Sequence, residues 1–179
     1  MPEDVMEWSV LVGYGVTYGL VVSVLFTVAL FVGAAVGRDF LLDDYPPAVR
    51  ERYGRPKSVR GRRTAIGFGL FFWGGCCVPL MVLAMSRLGA ELGGDVGFLR
   101  AAVVGAVGFL TLSVYDLVVV DWIVFAGLRP RLLALPGTEG MEEYRDLRFH
   151  AVAAAKGSPL IVVVGVVVGG VVAAVEAIT

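Results

Sequence analysis

AAVVGAVGFLTLSVYDLVVVDWIVFAGL, residues 101–128, decides how the whole chain is read. The run exceeds the roughly 20 helical residues that cross a hydrocarbon core, yet it carries two aspartates, Asp116 and Asp121. On the insertion scale an aspartate at the centre of a span costs about 2.5 to 3.5 kcal/mol, while each Leu, Ile, Phe or Val returns roughly 0.3 to 0.6 kcal/mol. The run holds 15 of those apolar residues, a gain of about 4.5 to 9 kcal/mol that two aspartates largely cancel. The segment inserts by a narrow margin. Its acids oppose insertion, so they are expected to serve the folded protein.

Three more blocks of the same character lie at about 9–36, 64–86 and 159–178, in a chain of 179 residues that is 58% hydrophobic. Its mean hydropathy is +0.81. The expectation is an all-α integral membrane protein, a four-helix bundle forming one transmembrane domain of the cell membrane, with loops at 37–63 and 129–158. The net charge of −1 conceals the distribution of the cations. Residues 37–63 hold eight of the 15 basic residues and residues 129–156 hold five. The positive-inside rule puts both loops in the cytoplasm and both termini outside. The acidic N-terminus, with Glu3, Asp4 and Glu7, lacks the basic flank of a signal peptide, so the first block is expected to remain as a span.

Local features refine the spans. Gly15 and Gly19, Gly33 and Gly37, and Gly165 and Gly169 are paired four residues apart, so each pair shares a helix face that a neighbouring backbone can approach closely. Gly74, Gly75 and Pro79 predict a kink or local unwinding in the second span. Cys76 and Cys77 are adjacent and lack metal or redox spacing, which reads as buried small hydrophobes.

The cations of the first loop, among them Arg60, Arg62 and Arg63, each contribute about 1 kcal/mol of attraction to an anionic leaflet. Partners are therefore expected to be lipid headgroups, not nucleic acid. In PGTEGMEEYRDLRFHAVAAAKGSP, residues 136–159, a helix started by Pro136-Gly137-Thr138 and stopped by Gly157 would place Glu139, Glu143, Asp146 and His150 within about 60° of one another. Such an amphipathic helix would lie in the cytoplasmic interface before the fourth span, with Arg145 and Arg148 reaching lipid phosphates.

For the two aspartates, depth and direction can be estimated. Asp116 falls near the midplane and Asp121 about 7.5 Å closer to the cytoplasm, rotated by about 140° in a regular α-helix. A π-bulge between them would bring them onto one face. Polar residues at the depth of Asp116 are Ser23, Thr27, Ser113, Tyr115 and Trp73; those nearer Asp121 are Arg63, Thr64, Lys156 and Ser158. A carboxylate held in low dielectric gains by taking a proton or cation, or by clasping a neighbouring helix. The leading functional expectation is a small transporter or channel-like protein that handles protons or cations at Asp116 and Asp121. One rival is an enzyme acting on a lipid headgroup through Asp121, Glu143, Asp146 and the single histidine, His150. Glu143, Asp146 and His150 are also the candidate metal ligands, against the plainer reading of a solvated face. A second rival is an accessory subunit without chemistry.

The sequence contains no P-loop, GxSxG, HExxH or dinucleotide fingerprint, and no cofactor is expected. Four helices leave little room for a wide pathway, so a homo-oligomer or larger membrane complex is expected. The bias towards Val, Ala, Gly and Arg suggests a prokaryotic source. YDLVVVDWIVF followed by LRPRLLALPGTEGMEEYRDLRFH resembles a widespread set of uncharacterised small prokaryotic multi-span membrane proteins. That resemblance attaches no activity; it implies that Asp116, Asp121, the PGTEG turn and His150 travel together.

Overall fold

The structure, a computed structural model, describes the backbone of residues 3–179 and the side chains from residue 8 onward. The acidic side chains of Glu3, Asp4 and Glu7 lie outside the described residues. The fold is all-helical, with no strand among the described residues. Helix α1 spans Glu3–Val36 and α2 spans Pro47–Tyr53. Helix α3 (Val59–Gly69) runs through a π-helical segment, Leu70–Cys77, into α4 (Val78–Leu92). Helix α5 (Gly97–Tyr115) continues as a second π-helical segment, Asp116–Leu128. Helices α6 (Leu147–Gly157) and α7 (Pro159–Glu176) complete the chain. Four continuous helical stretches are long and apolar enough to cross a membrane: Trp8–Val36, Val59–Leu92, Gly97–Leu128 and Leu147–Glu176.

Glycine sets the contacts among them. A Cβ on Gly15 would stand 2.6 Å from Val107, and one on Gly19 would stand 2.8 Å from the Gly108 carbonyl, so α1 and α5 meet backbone to backbone. On the other side of α5, a Cβ on Gly165 would fall 2.8 Å from the Ala102 carbonyl and one on Gly169 would fall 2.6 Å from that of Phe98. The paired glycines thus fill contacts within one chain. The interruption expected around Gly74, Gly75 and Pro79 takes the form of the π turn just before Pro79, where the Val78 N–H donates to the Trp73 carbonyl. Cys76 is buried beside Phe72 and Leu112, as a small hydrophobe would be.

The two basic loops fold into a cap with its own core. Phe40, Leu42, Tyr45 and Val49 from the first loop pack on Val120, Phe125, Leu133, Leu135 and Tyr144. The Tyr45 hydroxyl donates to the Leu133 carbonyl at 2.5 Å, and burial raises its pKa. The Tyr144 hydroxyl accepts from the Leu135 N–H at 3.0 Å and pairs with Thr138 Oγ1 at 2.6 Å. Buried Asp39 accepts from the backbone N–H and hydroxyl of Ser58, and the Ser58 hydroxyl accepts from the Gly61 N–H, closing the N-terminus of α3. At the opposite end, Glu176 accepts from the N–H groups of Val96 (2.8 Å) and Gly97 (3.2 Å), which begin α5.

The segment before the fourth span differs from expectation. Gly137 (φ 83°) and Gly140 (φ 88°) turn the chain sharply, and residues 142–145 form a short 3₁₀ turn. The helix starts only at Leu147, where Asp146 accepts from the Phe149 N–H. Glu139 and Glu143 therefore lie off the helix, and the acidic stripe shared with Asp146 and His150 does not form. A single residue, Ser158, separates α6 from α7.

Candidate functional site: an acidic crevice at the basic end

Two elements aim the aspartates. A π turn closes its hydrogen bonds between residues five apart, so residues with that spacing stack on one face. Asp116 opens the second π segment and Asp121 lies five residues on, and both line the same crevice of about 510 Å³. Its walls are Phe26 and Leu30 of α1, Phe68 of α3, and Phe149 with His150 of α6. Asp43 and Asp44 of the first loop stand at its mouth. A carboxyl-lined pocket with aromatic walls results.

The acids have different partners. Asp121 Oδ1 lies 3.1 Å from Nδ1 of His150, whose ring is buried between Phe125 and Phe149 at centroid distances of 6.4 and 5.3 Å. Asp43 pairs with Lys57 at 2.7 Å. Asp44 remains partly wetted, yet desolvation against the wall pushes its carboxyl above the ordinary carboxylate range. Lys57 opposes that rise, and Asp43 and Asp121 add to it. Asp116 makes no hydrogen bond or ion pair among the described residues. Its carboxylate faces the crevice without a protein cation of its own.

The polar residues expected around Asp116 are satisfied elsewhere. Ser23 donates to the Gly19 carbonyl, Ser113 donates to that of Phe109, and Thr27 bonds Ser23 and the Tyr115 hydroxyl. Trp73 stacks on Phe109. Short hydroxyl side chains on a helix reach their own i−4 carbonyl before they reach a neighbour. Of the candidates near Asp121, Thr64 packs against Gly37, and Ser158 donates to the Ala155 carbonyl. Histidine takes that place because the first turn of α6 lies on the π segment.

Glu143, Asp146 and His150 do not gather into a group that could hold a metal ion, nor does any other set of three such side chains among the described residues. Arg60, Arg62, Arg63, Arg145 and Arg148 are exposed on the cap, with Arg145 also 3.1 Å from Glu142. On the inner side the crevice ends against Phe26 and Phe68, which pack edge-on and stacked, respectively, on Phe72.

No protein-family model, no curated protein and no solved structure matches the chain.

Asp116, Asp121 and His150 are legible in the sequence, whereas Asp44, Tyr45 and the aromatic wall join them in the crevice only through the fold. The LDDY stretch at 42–45 was the available signal, an acidic pair beside an aromatic at the start of a loop otherwise rich in cations.

Proposed function

We propose that the chain is a small multi-pass membrane transporter or channel-like protein, and that its crevice takes up a proton or cation from the cytoplasmic side at Asp116 and Asp121. The topology in this reading follows the arginine-rich loops: basic cap in the cytoplasm, both termini outside. One observation carries the reading. Asp116 faces a crevice without any bonded cation, and a carboxylate in that setting is costly unless a mobile positive charge meets it. The aromatic layer of Phe26, Phe68 and Phe72 would be the barrier to the other side. Uptake by proteoliposomes of the purified chain, followed with a pH dye and with radioactive sodium and potassium, tests the idea. Saturable uptake above empty liposomes supports it, and fluxes equal to empty liposomes for all three ions would overturn it.

A second reading is favoured by the His150–Asp121 pair, in which the carboxylate orients the imidazole and leaves Nε2 to take or give a proton beside a headgroup-sized crevice. It predicts slow headgroup chemistry on phospholipid, lost in His150→Gln. Mass spectrometry of lipid incubated with the wild-type protein checks this, and unchanged lipid removes the enzyme reading.

A further inference from the structure

A second cavity, of about 550 Å³, lies beside the end of the third long helix and outside the acidic crevice. Among the described residues, every left-handed backbone position is a glycine except one, Arg129, with φ 47° and ψ 57°. Its N–H closes the π segment onto the Val124 carbonyl at 2.8 Å, a cap position where glycine is the unstrained choice. A non-glycine residue in such a backbone position points to a use for its side chain. Arg129 lines the cavity together with Arg131, Glu139 and Glu142, over a floor that includes Phe125 and Leu133. The charged lining holds two cations and two carboxylates, and of the latter Glu142 also pairs with Arg145 of the cap at 3.1 Å. Glu139 accepts from the Gly137 N–H at 2.8 Å, and these backbone bonds, with Arg38 and Arg131 nearby, hold its carboxyl below the usual range. Leu128, 73% exposed, stands at the rim where the apolar helix ends. In a membrane-embedded chain this rim lies at headgroup level.

We propose that this cavity binds the headgroup of a zwitterionic phospholipid, its phosphodiester on Arg129 and Arg131 and its ammonium on Glu139 and Glu142. Guanidinium forks match phosphate oxygens, and a lining with both charges selects a headgroup that carries both. The cavity size suits a headgroup with its glycerol. A polybasic attraction would not have this preference, since it favours anionic lipid.

Calorimetric titration of the full chain in detergent tests the site, with short-chain phosphatidylethanolamine, short-chain phosphatidylglycerol, free phosphoethanolamine and inorganic phosphate as probes. Phosphatidylethanolamine is expected to bind tightest. Arg129→Gly is expected to weaken it by about tenfold to a hundredfold while leaving the melting temperature unchanged or raised, because glycine relieves the left-handed strain. Arg131→Gln, which leaves the backbone alone, is expected to weaken binding similarly. The proposal is overturned if both variants bind like wild type, or if phosphatidylglycerol matches phosphatidylethanolamine. It is equally overturned if free phosphoethanolamine or phosphate binds as tightly as the lipid.

Discussion

Replacing Asp116 with asparagine is expected to lower proton or cation uptake by about tenfold to a hundredfold, the factor that follows from losing a charge-assisted partner, and to leave the fold intact. The second half of that expectation is as informative as the first. Asp116 has no hydrogen bond or ion pair among the described residues, so the amide breaks no clasp. It also removes an acid that costs about 2.5 to 3.5 kcal/mol at the centre of a span. Unfolding temperature should stay constant or rise while flux falls. A carboxylate that held helices together would give the reverse pattern, with lost stability and lost flux in step. Asp121→Asn should differ, because it disturbs the contact with His150 and so is expected to reduce both properties. Parallel flux and thermal-unfolding measurements on the two variants separate these roles.

The largest expected effect on the fold comes from Gly169→Leu. The glycine sits where a Cβ would lie 2.6 Å from the Phe98 carbonyl and 3.0 Å from the Ala102 side chain. Backbone cannot yield as a side-chain tip can, so α7 must be pushed off α5, and overpacking of this kind costs about 1 to 3 kcal/mol. In lipid the loss is felt fully, because close packing is what holds helices together there. The neighbouring Gly170 is the control. A Cβ there meets nothing within 4 Å, and leucine is the better helix former by nearly 1 kcal/mol, so Gly170→Leu should be neutral or slightly stabilising. Denaturant or thermal unfolding in detergent checks the pair. Equal stability of the two variants would mean that α5 and α7 do not meet as described.

The parts of the molecule governed by local composition were legible in the sequence. Four apolar blocks gave four long helices because hydrophobic length alone sets that property, and the glycine pairs marked contacts because four-residue spacing fixes a face. Asp116 and Asp121 stood out by cost alone. Their shared face was open in the sequence, since α geometry would separate them and a π-bulge would align them, and the π segment decides it. The loops were read least well. Pro136-Gly137-Thr138 has the look of a helix start, but Thr138 is buried with its hydroxyl on the Leu135 carbonyl and Tyr144. Gly137 and Gly140 take positive φ and turn the chain. Tyr45 reaching Leu133, 88 positions away, and Asp39 holding the Ser58 cap of α3 across the first loop are long-range choices that no local pattern encodes. The crevice depends on them, because the cap is what brings Asp44 and His150 towards the third long helix.

In the proposed reading Asp116 occupies a crevice that opens at the end bearing the arginine-rich loops and is closed towards the other by Phe26 and Phe68. Cysteine at that position, in a background with Cys76 and Cys77 replaced by serine, can be challenged with a membrane-impermeant thiol reagent applied separately to each face of oriented vesicles. Modification from the face bearing the arginine-rich loops, with little from the opposite face, is the predicted result. Modification from the opposite face, or from neither, would contradict it.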